Sequence, residues 1–167
     1  GLGFKDFIKY EARELWVIGT ALIVLAIFLY LAERLSPRNR DIKQLSFLQI
    51  QWIGLTQALA LIPGCSRSGS TIMGGLMVGL NREAAARFSF LLGLPAIFGS
   101  GLYELKELIE LGISSAGYLN LAVGISAAFV TGYLSIELLL RFLRNHGTLV
   151  FVIYRIVIGT GILLFLV

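Results

Sequence analysis

The chain has 167 residues, 57% of them hydrophobic and 14% charged, with 14 Lys+Arg against 10 Asp+Glu for a formal charge of +4. Soluble domains run at about 45–50% apolar and about 25% charged; with a mean hydropathy of +0.84 and the single cysteine Cys65, a water-soluble globule, a disordered chain and a disulfide scaffold are all excluded. The small, dispersed positive charge excludes a nucleic-acid binder and reads as loop residues that orient a membrane protein.

Residues 1–14 carry Lys5, Lys9 and Arg13 and lack the apolar run and small-residue cleavage site of a secretory leader. No initiator Met is present, so the chain is expected to be part of a longer protein. The first span is expected at about 15–33: residues 16–32 hold no charge, and Trp16 and Tyr30 suit the two interfaces. A basic stretch, 33–44, follows, with Pro37 as a helix breaker. Residues 47–62 and 70–80 are apolar, but each is too short to cross about 30 Å of hydrocarbon at about 1.5 Å per residue. Pro63-Gly64 stands between them. They are predicted to form a re-entrant pair over about 47–80, the second half-helix starting at about Ser70. Irregular backbone at that depth requires burial in protein or a wet cavity.

Residues 81–87 read as a polar connector and 87–104 as a span kinked by Pro95. An acidic loop, 104–117, leads to a span at 118–140, a basic turn at 141–146 and a last span at 148–167 containing Arg155. Charge supports this layout. If 47–80 enters and leaves on one side, the segments 33–44, 81–87 and 141–146 share a face and together hold eight Lys/Arg, against one in 104–117. That asymmetry is the positive-inside pattern. The three cations of residues 1–14 fall on the other side and run against it. The expected architecture is an all-α polytopic membrane protein, a single transmembrane domain over 1–167 built as a helical bundle with a re-entrant broken helix pair.

The chemically informative segment is Pro63-Gly64-Cys65-Ser66-Arg67-Ser68-Gly69-Ser70-Thr71. An arginine inside a membrane is costly and marks function, facing a cavity or a partner. Here Arg67 stands among the hydroxyls of Ser66, Ser68, Ser70 and Thr71. Gly64 and Gly69 allow close backbone approach, and a helix N-terminus follows that favours an anion. Together these groups make a phosphate receptor. The plainer account is a polar turn that caps the half-helix, but a cap needs one hydroxyl and no arginine. The form G-x-x-x-x-G-S-T lacks the Lys and the strand of a nucleotide-binding loop. Arg67 follows Cys65 too closely for a cysteine phosphatase, so Cys65 reads as a small packed residue.

These residues, with Gln57-Ala58-Leu59-Ala60-Leu61-Ile62 before them, closely resemble the signature Pro-Gly-x-Ser-Arg-Ser-Gly-x-Thr of the bacterial undecaprenyl-pyrophosphate phosphatase family, the bacitracin-resistance type. Phe88-Ser89-Phe90-Leu91-Leu92, Pro95 and Tyr154-Arg155 are also similar to that family. The resemblance implies an integral enzyme of the bacterial inner (cytoplasmic) membrane. It would hydrolyse an isoprenoid lipid diphosphate, undecaprenyl diphosphate, to the monophosphate carrier used in cell-wall synthesis. It further implies two inverted repeats, each with a re-entrant pair, of which this chain is one half, and a divalent cation (Mg²⁺ or Ca²⁺) bridging diphosphate oxygens.

One departure is plain. The family's other motif, a Glu-x-x-x-Glu pair followed by Pro-x-Ser-Ser-x-Gly-His, has no match; the equivalent places hold Gln57 and Leu61. No metal ligands are assigned on this chain, which is expected to be the C-terminal portion of a family member. Arg67, Ser66, Ser68 and Thr71 are the candidate catalytic residues; no base stands beside the hydroxyls, so the nucleophile stays open. Gly64, Gly69, Ser70, Gln57, Ser89 and Arg155 are the candidate substrate contacts. For Arg155 a structural pair or snorkelling is an equal alternative. Glu137 and Arg141 are spaced as a helix-surface pair, Glu33 and Glu104 read as span ends, and His146 as a solvated turn residue. A transporter or flippase of a phosphorylated lipid remains the alternative function, and homo-oligomerisation is left open.

Overall fold

The computed structural model describes residues 14–112 and 115–166. Lys5, Lys9 and Arg13 lie outside the described residues. Among those described the chain is helical and without strands: α1 (Leu15–Leu35), α2 (Phe47–Gln57), α3 (Arg67–Met77), α4 (Arg82–Leu111), α5 (Ser115–Asn145) and α6 (Leu149–Phe165), with 3-10 turns at Ile42–Gln44 and Ala58–Leu61. Helices α1, α4 and α5 are long and apolar enough to cross a membrane. Helix α6, of 17 residues, is shorter and runs antiparallel beside α1.

Two short helices joined by a Pro-Gly break form a hairpin over the segment expected to be re-entrant. A reciprocal cap starts α2, with Ser46 N donating to Gln49 Oε1 (3.0 Å) and Gln49 N to Ser46 Oγ (3.4 Å). The chain turns back at Pro63-Gly64, where Gly64 has φ 92°. A Cβ there would also come within 2.6 Å of Ile18 O on α1, so both the turn and its seat demand glycine. At the mouth of the hairpin the incoming and outgoing strands of chain pair directly: Arg40 N donates to Gly79 O (3.1 Å) and Asn81 N to Arg40 O (3.0 Å). Entry and exit therefore share one side. The polar segments 33–44, 81–87 and 141–146 meet at that end, as the charge pattern requires.

Four boundaries differ from expectation, each for a local reason. Helix α3 begins at Arg67 rather than Ser70, because Ser66 is its N-cap: Gly69 N donates to Ser66 Oγ at 3.1 Å. Helix α4 begins at Arg82, because Asn81 Oδ1 accepts from Ala84 N at 2.8 Å. It continues through the expected acidic loop to Leu111, because Glu and Lys are good helix formers and Lys106 pairs with Glu110 at 3.6 Å. It stops only at Gly112, φ 76°. Helix α5 absorbs most of the expected basic turn, with Arg141 Nε donating to Glu137 Oε1 at 2.6 Å. Charged residues at the end of an apolar run extend these helices without ending them.

The core is small residues and leucine-like packing between α1, α3, α4 and α6: Leu25, Ala26, Leu29, Met73, Leu76, Ala85 and Val152 are all buried. Close approach is bought with glycine, as membrane helix pairs require. A Cβ on Gly159 would lie 2.8 Å from Gly19 O, and one on Gly74 would collide with Thr56. Most of α5 leaves its apolar surface exposed, Phe129 and Tyr133 among it.

Candidate functional site

The site is the capped N-terminus of α3. Ser66 Oγ accepts from Gly69 N and shares a hydrogen bond with Ser68 Oγ at 3.1 Å. Ser70 N is spent on Ser66 O (2.9 Å). The first two amides of the helix, those of Arg67 and Ser68, have no hydrogen-bond partner among the described residues, which is the usual state of a helix start that faces an anion.

Because α3 starts three residues early, the motif winds around a helix instead of lying on a loop. Successive residues turn by about 100°, so the cluster divides between two sides. On one side Ser66, Ser68 and Gly69 line a cavity of about 110 Å³ together with Arg155, Ile72 and Thr148. A Cβ on Gly69 would stand 3.5 Å from Arg155 Nη1. Arg155 is 9% exposed, and its Nη1 is buried without a hydrogen-bond partner. On the other side the Arg67 guanidinium rests on α4, where a Cβ on Gly93 would come within 2.9 Å of Nη2 and 3.2 Å of Cζ. Gly93 is 11 residues into α4, so this contact sits about 16 Å from the basic end, near the middle of a bilayer of about 30 Å.

Arg67 and Ser68 are exposed at the surface of this chain. Thr71 is fully buried; its hydroxyl donates to Arg67 O (2.8 Å) and approaches Gln57 Oε1 (3.5 Å). Thr71 and Gln57 therefore brace the first turn of α3 from behind and do not line the cavity. Ser70 is also fully buried, its Oγ without a hydrogen-bond partner. Ser89, 6% exposed, lies in the α3–α4 seam. The contacts Arg67–Gly93 and Gly75–Ala85 fix an antiparallel register that sets it across from Thr71. Gly64 serves the turn against α1. Half-buried Cys65 packs on the core, as expected of a small packed residue.

Two residues escaped the sequence reading. Gly93 fell in an unremarked position of the Phe88–Pro95 stretch; glycine four residues after Ser89, on the same helix face, was the available signal. Glu33 read as a span end, yet it is 7% exposed and ties three elements together. Its Oε1 accepts from Arg82 Nε (2.5 Å), and its Oε2 accepts from Thr148 N (2.8 Å) and from the Thr148 hydroxyl. Arg38 adds a looser ion pair at 3.9 Å. His146 stacks on Phe142 at 4.7 Å, exposed and remote from the cavity.

Comparison with known proteins matches the sequence to one family. The profile described as bacitracin resistance protein BacA covers residues 1–161. A protein of Synechococcus elongatus named undecaprenyl-diphosphatase is 49% identical over 158 residues, 95% of this chain and 55% of the relative. Proteins of the same name from Chlorobium phaeobacteroides and Mycolicibacterium vanbaalenii are 50% and 47% identical, over 98% and 99% of this chain and 61% of each relative. The chain thus spans somewhat over half the length of the curated relatives it matches. With a family profile along nearly its full length and identities near one half, the chain belongs to the BacA bacitracin resistance family.

Proposed function

We propose that this chain is the diphosphate-holding part of a phosphatase of the bacterial inner membrane. It would hydrolyse undecaprenyl diphosphate to undecaprenyl phosphate and inorganic phosphate, recycling the lipid carrier for cell-wall synthesis. The observation that carries the reading is the buried, unpartnered Nη1 of Arg155 in a cavity shared with the first turn of α3. An arginine at depth costs at least about 2.5–3.5 kcal/mol. A phosphate bound beside Ser66, Ser68 and Gly69 offsets that cost with charge-assisted hydrogen bonds.

Two guanidiniums flanking one helix N-terminus suit two linked phosphates. Arg155 grips one, and Arg67, seated on Gly93, draws charge from the other as the anhydride bond breaks. Ser66 and Ser68 orient phosphate oxygens, and Thr71 with Gln57 keeps the turn rigid. Among the described residues the cavity lining holds no carboxylate and no histidine, so no general base is assigned among them. Mg²⁺ or Ca²⁺ would neutralise diphosphate oxygens when bound. The donors on this chain do not fit such an ion: they are guanidiniums and hydroxyls, and among the described residues no three His, Cys, Asp or Glu cluster. No step here runs through the metal. The flippase reading gains nothing from the comparisons, whose relatives are named as diphosphatases.

The test is phosphate release from undecaprenyl diphosphate by the full-length protein in detergent. Arg155→Ala and Arg67→Ala are each expected to lose about 100-fold or more in turnover with an unchanged unfolding midpoint. Arg155→Lys recovers only part, because an ammonium cannot replace the planar fork. Wild-type turnover in the two alanine variants overturns the assignment.

A further inference from the structure

A second basic site lies at the opposite end of the molecule from the hairpin turn. The 33–44 segment, the first turn of α4 and the last turn of α5 enclose a cleft of about 420 Å³, lined by Arg38, Asn81, Arg82, Glu83 and Arg144 among others. Two of its three guanidiniums are partly committed. Arg82 gives its Nε to Glu33 (2.5 Å), and Arg144 grips Glu83 with Nε (2.9 Å) and Nη2 (2.7 Å). Arg38 is the least committed of the three: its one ion pair is loose, 3.9 Å to a Glu33 already satisfied by Arg82 and Thr148. Arg38 also has φ 52°, the one positive φ outside glycine among the described residues. Its N–H donates to Ser36 Oγ at 3.3 Å, which holds this uncommon conformation beside the cleft. The lining carries three positive charges against one negative.

The position is as telling as the charge. Three chain segments that together hold eight Lys/Arg meet here, and the positive-inside rule assigns such an end to the cytoplasmic surface, where lipid headgroups lie. Basic pockets between membrane helices on that side hold anionic lipid headgroups. Pro37, exposed on the wall, gives the cleft a small apolar margin, which a lipid uses and a free ion does not. We propose that this cleft seats the phosphate of an anionic phospholipid such as phosphatidylglycerol, with Arg38 as its principal ligand and the unused nitrogens of Arg82 and Arg144 as supports. The bound headgroup braces α5 against α4 and the 33–44 segment. The site is independent of the reading given to the α3 terminus.

The test uses lipid-stripped full-length protein, titrated in separate arms with phosphatidylglycerol, with phosphatidylcholine of the same chains, and with inorganic phosphate. Phosphatidylglycerol is expected to raise the unfolding midpoint and to stay bound in native mass spectrometry; the other two are expected to do neither. Arg38→Gln is expected to weaken retention about tenfold, the worth of a charge-assisted hydrogen bond, while turnover of undecaprenyl diphosphate is unchanged. Arg38→Lys is expected to keep most of it. Native mass spectrometry counts only folded protein, so a less stable variant does not imitate lost binding. Equal retention by wild type and Arg38→Gln overturns the proposal, as does inorganic phosphate reproducing the midpoint shift.

Discussion

The Arg67 guanidinium packs beside Gly93, and a single methyl group at that position would come within 2.9 Å of Nη2. The far end of a flexible side chain yields more easily than backbone. Gly93→Ala is therefore expected to move the guanidinium and leave the helix intact. Turnover of the full-length protein should fall at least about tenfold, given that a misplacement near 1 Å can cost about 100-fold. The unfolding midpoint should hold or rise, since Ala is the better helix former. Unchanged turnover would mean that Arg67 works from some other position.

Ser66 is both a cap and a candidate phosphate contact, and two substitutions separate the roles. Ser66→Ala removes the cap and is expected to cost about 1 kcal/mol of stability. Ser66→Asp keeps a capping oxygen and sets a negative charge in the cavity lined by Arg155. It is expected to fold as well as wild type and to lose phosphate release altogether. Thermal unfolding alongside the turnover assay reads both. Activity surviving in Ser66→Asp would remove the cavity from the substrate path.

Glu33 accepts from Arg82 and Thr148 and is nearly sealed from solvent. Removing one member of such a network leaves buried groups unpaired, at about 3–5 kcal/mol. Glu33→Ala is expected to cost about 3 kcal/mol, and Thr148→Val less. Chemical unfolding in mixed micelles measures both. A cost below about 1 kcal/mol for Glu33→Ala would mean water enters the cluster freely.

Helices α1 and α6 touch through backbone at Gly19 and Gly159. Gly159→Leu is expected to force them apart, at about 1–3 kcal/mol for an overpacked contact, and to shift Arg155 four residues away on the same helix. Lower stability and lower turnover should therefore appear together. Gly161→Leu, two residues on and with nothing within 4 Å of an added Cβ, is the matched control and should change neither.

The general plan was readable because membrane physics leaves few choices. Uncharged runs of span length and a Pro-Gly break between two short runs set out the helices and the hairpin. The distribution of Lys and Arg put entry and exit on one side, and Arg40 pairs with Gly79 and Asn81 accordingly. Helix ends were less legible. Asn81 and Ser66 act as caps, and polar residues at 104–111 and 141–145 extend helices, because capping and propensity operate on single residues that hydropathy averages away. The early start of α3 had the largest effect on the site: it split one expected cluster across two helix faces, giving Arg155 the cavity and Arg67 the seam. Gly93 and Glu33 acquire their roles from residues 26 and 115 positions away, and no local pattern announces such partners.

The clasp between Arg40 and the 79–81 backbone has a topological consequence. A chain that dips and resurfaces changes the parity of every crossing after it, so anyone counting apolar runs as full passes would invert the rest of the molecule. Reporter cysteines at Lys43 and Arg87 should then react together with a membrane-impermeant reagent, and one at Glu107 should stay silent until the opposite compartment is opened.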